Sequence, residues 1–170
     1  LTVLPVMTLL SIYWLISYHY IKNLDGIKAL HNNLMLIMGI IGSLFGILYT
    51  AFLGSEGEIY QLLRRFGIYF FFLGSYSAQV IEVVQLSNTI KIKHFKPLKG
   101  MKFLILLIGL IILISTPFYG FIENDDWLEN VLEWNITFLI CSYFILSAFL
   151  WRKAELRMNL NSNYSKSSNP

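Results

Sequence analysis

The chain has 170 residues, 56% of them hydrophobic and 16% aromatic, and carries a net charge of +3 at pH 7. That apolar content exceeds what soluble domains carry, and a single cysteine excludes an intrachain disulfide framework or a cysteine-built metal site. The modest positive charge is accounted for by basic loops facing anionic headgroups, so nothing in the balance calls for a nucleic-acid partner.

Charge is sparse in five apolar stretches, about residues 1–20, 33–54, 66–86, 101–121 and 131–151, whose only carboxylates are Glu82 and Glu133. Each is long enough to cross a hydrocarbon core of roughly 30 Å as a helix. The pattern predicts an all-α, polytopic transmembrane bundle over residues 1–158, with five spanning helices. Residues 159–170, rich in Asn and Ser, are expected to form a disordered tail.

The first stretch starts at Leu1, not at an initiator methionine, and nothing before it reads as a signal peptide. An upstream segment is therefore expected. After it, Lys22 and Lys28 mark the first connection, and Pro5 lies near the start of its helix. The second stretch carries Gly39, Gly42 and Gly46, of which Gly42 and Gly46 form a small-xxx-small face. The third offers Gly74, Ser75, Ser77 and Ala78 as a matching strip, which predicts close packing of these two helices.

Arg64 and Arg65 precede the third stretch and face Glu56, Glu58 and the acidic loop Glu123 to Glu129. They are read as pairing with these loop carboxylates, or as clamping a lipid phosphate. Glu82, with Gln79 one turn earlier, falls about four residues before the far end of the same helix. A carboxylate there is expected to reach headgroup water; it could also be protonated, pair with Lys91 or Lys93, or hold the polar part of a lipid.

Lys91, Lys93, Lys96, Lys99 and Lys102 follow, then the fourth stretch with Pro117 near its end. Glu133, Trp134 and Asn135 are predicted to open the fifth helix, where a first-turn Glu suits the helix dipole and a Trp suits the membrane surface. Cys141, in mid-helix, is expected to be a small buried apolar residue. His19, His31 and His94 lack ligand spacing, and no cofactor motif is present. Eleven of the thirteen basic residues fall on one side of the predicted bundle, which places the tail in the cytoplasm and the acidic loops outside or in a lumen.

The run Leu132-Glu133-Trp134-Asn135, followed by Phe138, Tyr143 and the exit Trp151-Arg152-Lys153-Ala154-Glu155-Leu156-Arg157, resembles the close of the Frag1/DRAM/Sfk1 family of six-helix membrane proteins. The stretch from Leu63 to Ser75, a polar turn, then Gly67, then an aromatic run, is similar to that family's middle helix. The chain departs from the family where Arg64 or Arg65 replaces a histidine often found ahead of the glycine. The resemblance implies that the family's first helix is absent here and that the chain works with lipid.

The resulting expectation is a non-catalytic integral subunit that binds membrane lipid and supports a lipid-handling assembly with other protein subunits, in lipid transfer or glycolipid-anchor remodelling. It implies an endomembrane location, the endoplasmic reticulum or Golgi ahead of the plasma membrane or lysosome. Two alternatives are an acyl-chain remodelling enzyme acting at the non-cytoplasmic surface through Glu133, Arg64 and Arg65, and a transporter or channel, which the lack of a midplane string of ionisable residues disfavours.

Overall fold

The computed structural model describes residues 3–24, 28–52, 54–89, 92, 94–118 and 126–154, with side chains described from residue 5 and outside 114–118 and 126–130. The described residues form five α-helices: α1 (Val3–Lys22), α2 (Ala29–Ala51), α3 (Glu58–Asn88), α4 (Lys96–Phe118) and α5 (Asp126–Lys153). An all-helical chain is what lipid demands, because a helix satisfies its backbone polar groups internally. Three segments, α2, α3 and Val131–Lys153 of α5, are apolar and long enough to cross a membrane. Lys91, Lys93, the loop residues Glu123 and Asp125, and the tail 159–170 lie outside the described residues.

The helices α2 to α5 all start ahead of the apolar stretches, and two of these starts move candidate residues. α3 begins at Glu58 and α5 at Asp126, so Arg64 and Arg65 sit within α3 instead of before it, and Glu133 lies about two turns inside α5. The polar residues ahead of each apolar run continue the helix instead of forming a loop. The helix dipole, felt only within the first turn, therefore does not account for Glu133.

Tight backbone geometry links α2 to α3. Gly54 and Gly57 take φ of 86° and 122°, a region that a Cβ disfavours, and Gly57 is the N-cap of α3. At the opposite end, Asn23 and Leu24 donate backbone hydrogen bonds to Tyr20 and Ile21 as α1 ends.

α3 packs most extensively on α2 and also touches α4 and α5, while α1 lies on α2 and α4 on α5. Small residues set the closest approach. A Cβ placed on Gly42 would lie 2.9 Å from the Ser75 backbone nitrogen, and one on Gly74 would lie 2.8 Å from the Gly42 Cα. Gly67 similarly lies on the backbone of Tyr49, 2.9 Å from its nitrogen to the same kind of added atom. Gly39 serves α1, whose Trp14 indole rests on it, and Gly46 lies beneath Met7 of α1 and Phe71 of α3.

The gap between α1 and α5 is filled by rings. Tyr13 stacks on Trp151 at 5.0 Å and meets Phe144 edge-on at 4.7 Å, while Trp14 and Tyr143 also flank Phe144. Met35, Leu86, Leu98, Met101 and Leu150 complete the core. Outside, Phe103, Leu106, Leu110 and Leu113 of α4 and Phe138, Ile145 and Phe149 of α5 are exposed. These helical spacings make apolar outer stripes. Cys141 is exposed between Phe138 and Ile145, not buried as its residue type predicts, because the inward face of α5 is taken by Ile140, Tyr143 and Ser147.

Several hydroxyls within the bundle are satisfied by their own helix. Ser43 donates to the Gly39 carbonyl at 2.8 Å, Thr137 to Glu133 at 2.7 Å and Ser142 to Phe138 at 2.9 Å. Such back-bonding lets a polar residue sit at lipid depth without a partner helix.

Candidate functional site

Glu82 is the exception to that self-sufficiency. It is 0% exposed, and the interfacial placement expected from sequence does not hold, because α3 runs on to Asn88 and seats the carboxyl among three helices. Tyr13 Oη donates to its Oε2 at 2.8 Å, Tyr143 Oη to the same oxygen at 2.8 Å, and Ser17 Oγ to Oε1 at 2.8 Å. Ser147 Oγ lies 2.8 Å from Tyr13 Oη. A tyrosine has one hydroxyl proton, and that of Tyr13 goes to Glu82, so Ser147 is the donor to Tyr13.

The cluster is built from a repeated pattern. Tyr13 with Ser17 on α1, and Tyr143 with Ser147 on α5, are both Tyr-x-x-x-Ser pairs, and residues four apart share one helix face. Each helix thus turns a phenol and a hydroxyl towards α3. Tyr143 has a further acceptor in the Gln79 carbonyl at 3.3 Å. The Gln79 side-chain amide, fully buried one turn before Glu82, has no hydrogen-bond partner among the described residues, nor do Ser75 Oγ and Trp14 Nε1.

One turn beyond Glu82, Gln85 is 4% exposed and its side-chain amide also lacks a partner among the described residues. It lines a groove of about 290 Å³ between the start of α2 and the end of α3. Lys28, His31 and Asn88 supply the polar part of that lining, and Val80, Ile81 and Val84 the apolar part. This is the basic end of the bundle, where Lys22, Lys96, Lys99, Lys102, Arg152 and Lys153 are also exposed. Lys153 Nζ sits over the Phe95 ring at 5.0 Å.

The opposite end holds the other residues singled out by sequence. Arg64 and Glu133 are half-buried. Arg65 is exposed. Trp134 is 75% exposed, projecting from the bundle as a belt residue does. The Asn135 amide donates back to the Val131 carbonyl at 2.7 Å. His19, His31 and His94 are all exposed, and no group of metal-ligating side chains occurs among the described residues.

The sequence-derived candidates thus fall into separate places. Glu82 lies in the core, Arg64 and Glu133 share the acidic end with Arg65 and Trp134 at its surface, and Gly42 and Gly74 lie in the α2/α3 seam. Tyr13, Ser17, Tyr143 and Ser147 were not anticipated as functional residues; the twin Tyr-x-x-x-Ser spacing is the signal that could have found them. Comparison with protein-family models, with curated proteins and with solved structures gives no match for the chain.

Proposed function

We propose that the chain is a non-catalytic integral membrane subunit that binds lipid and supports a lipid-handling assembly. All five helices span the bilayer, and the tail faces the cytoplasm. The carrying observation is the fate of Glu82. An intramembrane carboxyl is a default functional candidate, yet here both oxygens accept hydroxyl protons from α1 and α5. The group holds helices together in place of meeting a substrate. Around it, α4 and α5 turn apolar stripes outward, a surface suited to acyl chains and to helices of other subunits. The resemblance to the Frag1/DRAM/Sfk1 family adds the lipid-handling context, and the excess of basic residues at one end supports the orientation.

Purification of the native protein in mild detergent tests this reading. Co-isolation with a protein partner and retained phospholipid is the expected result. A chain recovered alone, monodisperse and free of lipid would overturn it. The second reading, an acyl-chain remodelling enzyme, draws on Arg64 and Glu133, charged residues half-buried within α3 and α5. Turnover of phospholipid by the purified chain, lost in Glu133→Gln, would favour it.

A further inference from the structure

We propose that Glu82 is a proton-binding site inside the bundle, held as the neutral acid at neutral pH with its proton on Oε1. This goes beyond the lipid-binding reading and stands on the geometry of the cluster.

The two carboxyl oxygens are not equivalent. Oε2 meets two phenols, Tyr13 Oη and Tyr143 Oη, each at 2.8 Å, whereas Oε1 has the single neighbour Ser17 Oγ at 2.8 Å. A neutral acid bonds in that pattern: its carbonyl oxygen accepts twice and its hydroxyl oxygen donates once. A carboxylate offers about four acceptor sites, so three donors would leave one idle and the charge without a counter-ion.

A separation of 2.8 Å between Ser17 Oγ and Oε1 serves a hydrogen bond in either direction. With the carboxyl ionised, Ser17 donates. With a proton on Oε1, the acid donates to Ser17 Oγ in place of receiving from it. The Ser17 hydrogen then turns to the Tyr13 carbonyl one turn back on α1, the same back-bonding that Ser43 and Ser142 make on their own helices. Tyr13 Oη is already the acceptor for Ser147, which leaves Ser17 as the natural receiver. Every contact of the clasp survives the exchange.

Charge decides between the two states. Glu82 is 0% exposed, and among the described residues no cation pairs with it. The titratable groups that face it are the phenols of Tyr13 and Tyr143. The described basic side chains of α1, α2, α4 and α5 are exposed, and Arg64 and Glu133 lie at the opposite end. A carboxylate sealed from water with no counter-ion takes up a proton in preference to staying charged. Loss of that proton requires water or a cation to reach Glu82, and either enters only when α1 or α5 separates from α3. Deprotonation is thereby tied to opening of the three-helix seam.

Infrared difference spectroscopy of the full chain in lipid vesicles, wild type against Glu82→Gln, tests the site. At neutral pH the carbonyl stretch of a protonated carboxylic acid should be present in wild type and missing from the variant. It should persist, displaced, in Ser17→Ala, which removes only the acceptor of the acid proton. Unfolding in mixed micelles gives a second readout. The folded chain holds one proton that the unfolded chain, with an exposed carboxylate, has released, so stability falls as pH rises. Between about pH 5 and 8 the folding constant of wild type should drop by up to about tenfold per pH unit relative to Glu82→Gln.

Identical carbonyl spectra for wild type and Glu82→Gln at neutral pH would overturn the proposal, and so would parallel pH profiles of the two chains. An amide reproduces the neutral acid's pattern, its carbonyl accepting both phenols and its N–H donating to Ser17. Glu82→Gln is therefore expected to fold, and a variant that does not fold refutes the neutral acid as well.

Discussion

Replacing Tyr143 by Phe removes one hydroxyl and leaves the ring, whose edge-on contact with Phe144 at 5.8 Å persists. The lost bond is the one to Glu82 Oε2 at 2.8 Å. Hydrogen bonds between membrane helices average about 0.6 kcal/mol and reach about 1.7, and a fully buried bond to a carboxyl belongs in the upper part of that range. Tyr143→Phe should therefore destabilise by about 1 kcal/mol. Glu82→Leu should cost less than three such bonds. Tyr143 keeps the Gln79 carbonyl, Tyr13 keeps Ser147, and Ser17 can turn to the carbonyl one turn earlier on its own helix. In the Glu82→Leu background, Tyr143→Phe should then cost only a few tenths of a kcal/mol, a coupling of about 0.7 kcal/mol or more for the pair. Unfolding by sodium dodecyl sulfate in mixed micelles, followed through tryptophan fluorescence, to which Trp14 contributes with its ring 4.9 Å from that of Tyr13, measures all four variants. An equal cost of Tyr143→Phe in both backgrounds would refute the clasp.

Gly74→Ala meets backbone on α2, whereas Gly46→Ala meets side chains, the flexible end of Met7 and the ring edge of Phe71, so thermal unfolding in detergent should show the first destabilised by about 1–3 kcal/mol and the second less. Equal shifts would remove the distinction. A double-mutant cycle on Glu133→Gln and Arg64→Gln should give non-additive stabilities, while the same cycle with exposed Arg65 should be additive; additivity in both would separate Arg64 from Glu133. Cys141 should react in intact membranes with a lipid-soluble maleimide and be spared by a charged thiol reagent, and fast labelling by the charged reagent would take this face of α5 out of the lipid. Mass spectrometry of the native protein should find the Asn163-Tyr164-Ser165 sequon bare, and a glycan there would reverse the proposed orientation.

The helical class was legible because the apolar runs are long and their charges lie between them. Their ends were less so. Hydropathy marks the slab of hydrocarbon, not the hydrogen-bonded helix, so Glu58 to Arg65 and Asp126 to Asn130 read as loop-like although they continue α3 and α5. The environment of Glu82 was hidden for a different reason: Tyr13 and Tyr143 lie 69 and 61 residues away along the chain. Only the packing of three helices brings them to the carboxyl. A strip of small residues can be read from α2, but its division of labour cannot, since Gly42 faces α3 while Gly39 meets Trp14 of α1. The outward position of Cys141 escaped because residue type sets an average burial and the helix phase sets the actual one.

The two kinds of seam in this bundle give it uneven stiffness. Where α2 meets α3, backbone lies on backbone at Gly42 and Gly74, and neither helix can slide without a main-chain collision. Between α1 and α5 the spacing is kept by side chains, the Tyr13–Ser147 hydrogen bond with the rings of Trp14, Phe144 and Trp151, which follow a small change of separation more readily than backbone in contact does. Thickening or thinning of the surrounding bilayer would then be absorbed by tilting of α5, with α4 carried along, while the α2/α3 pair keeps its shape as a fixed mast.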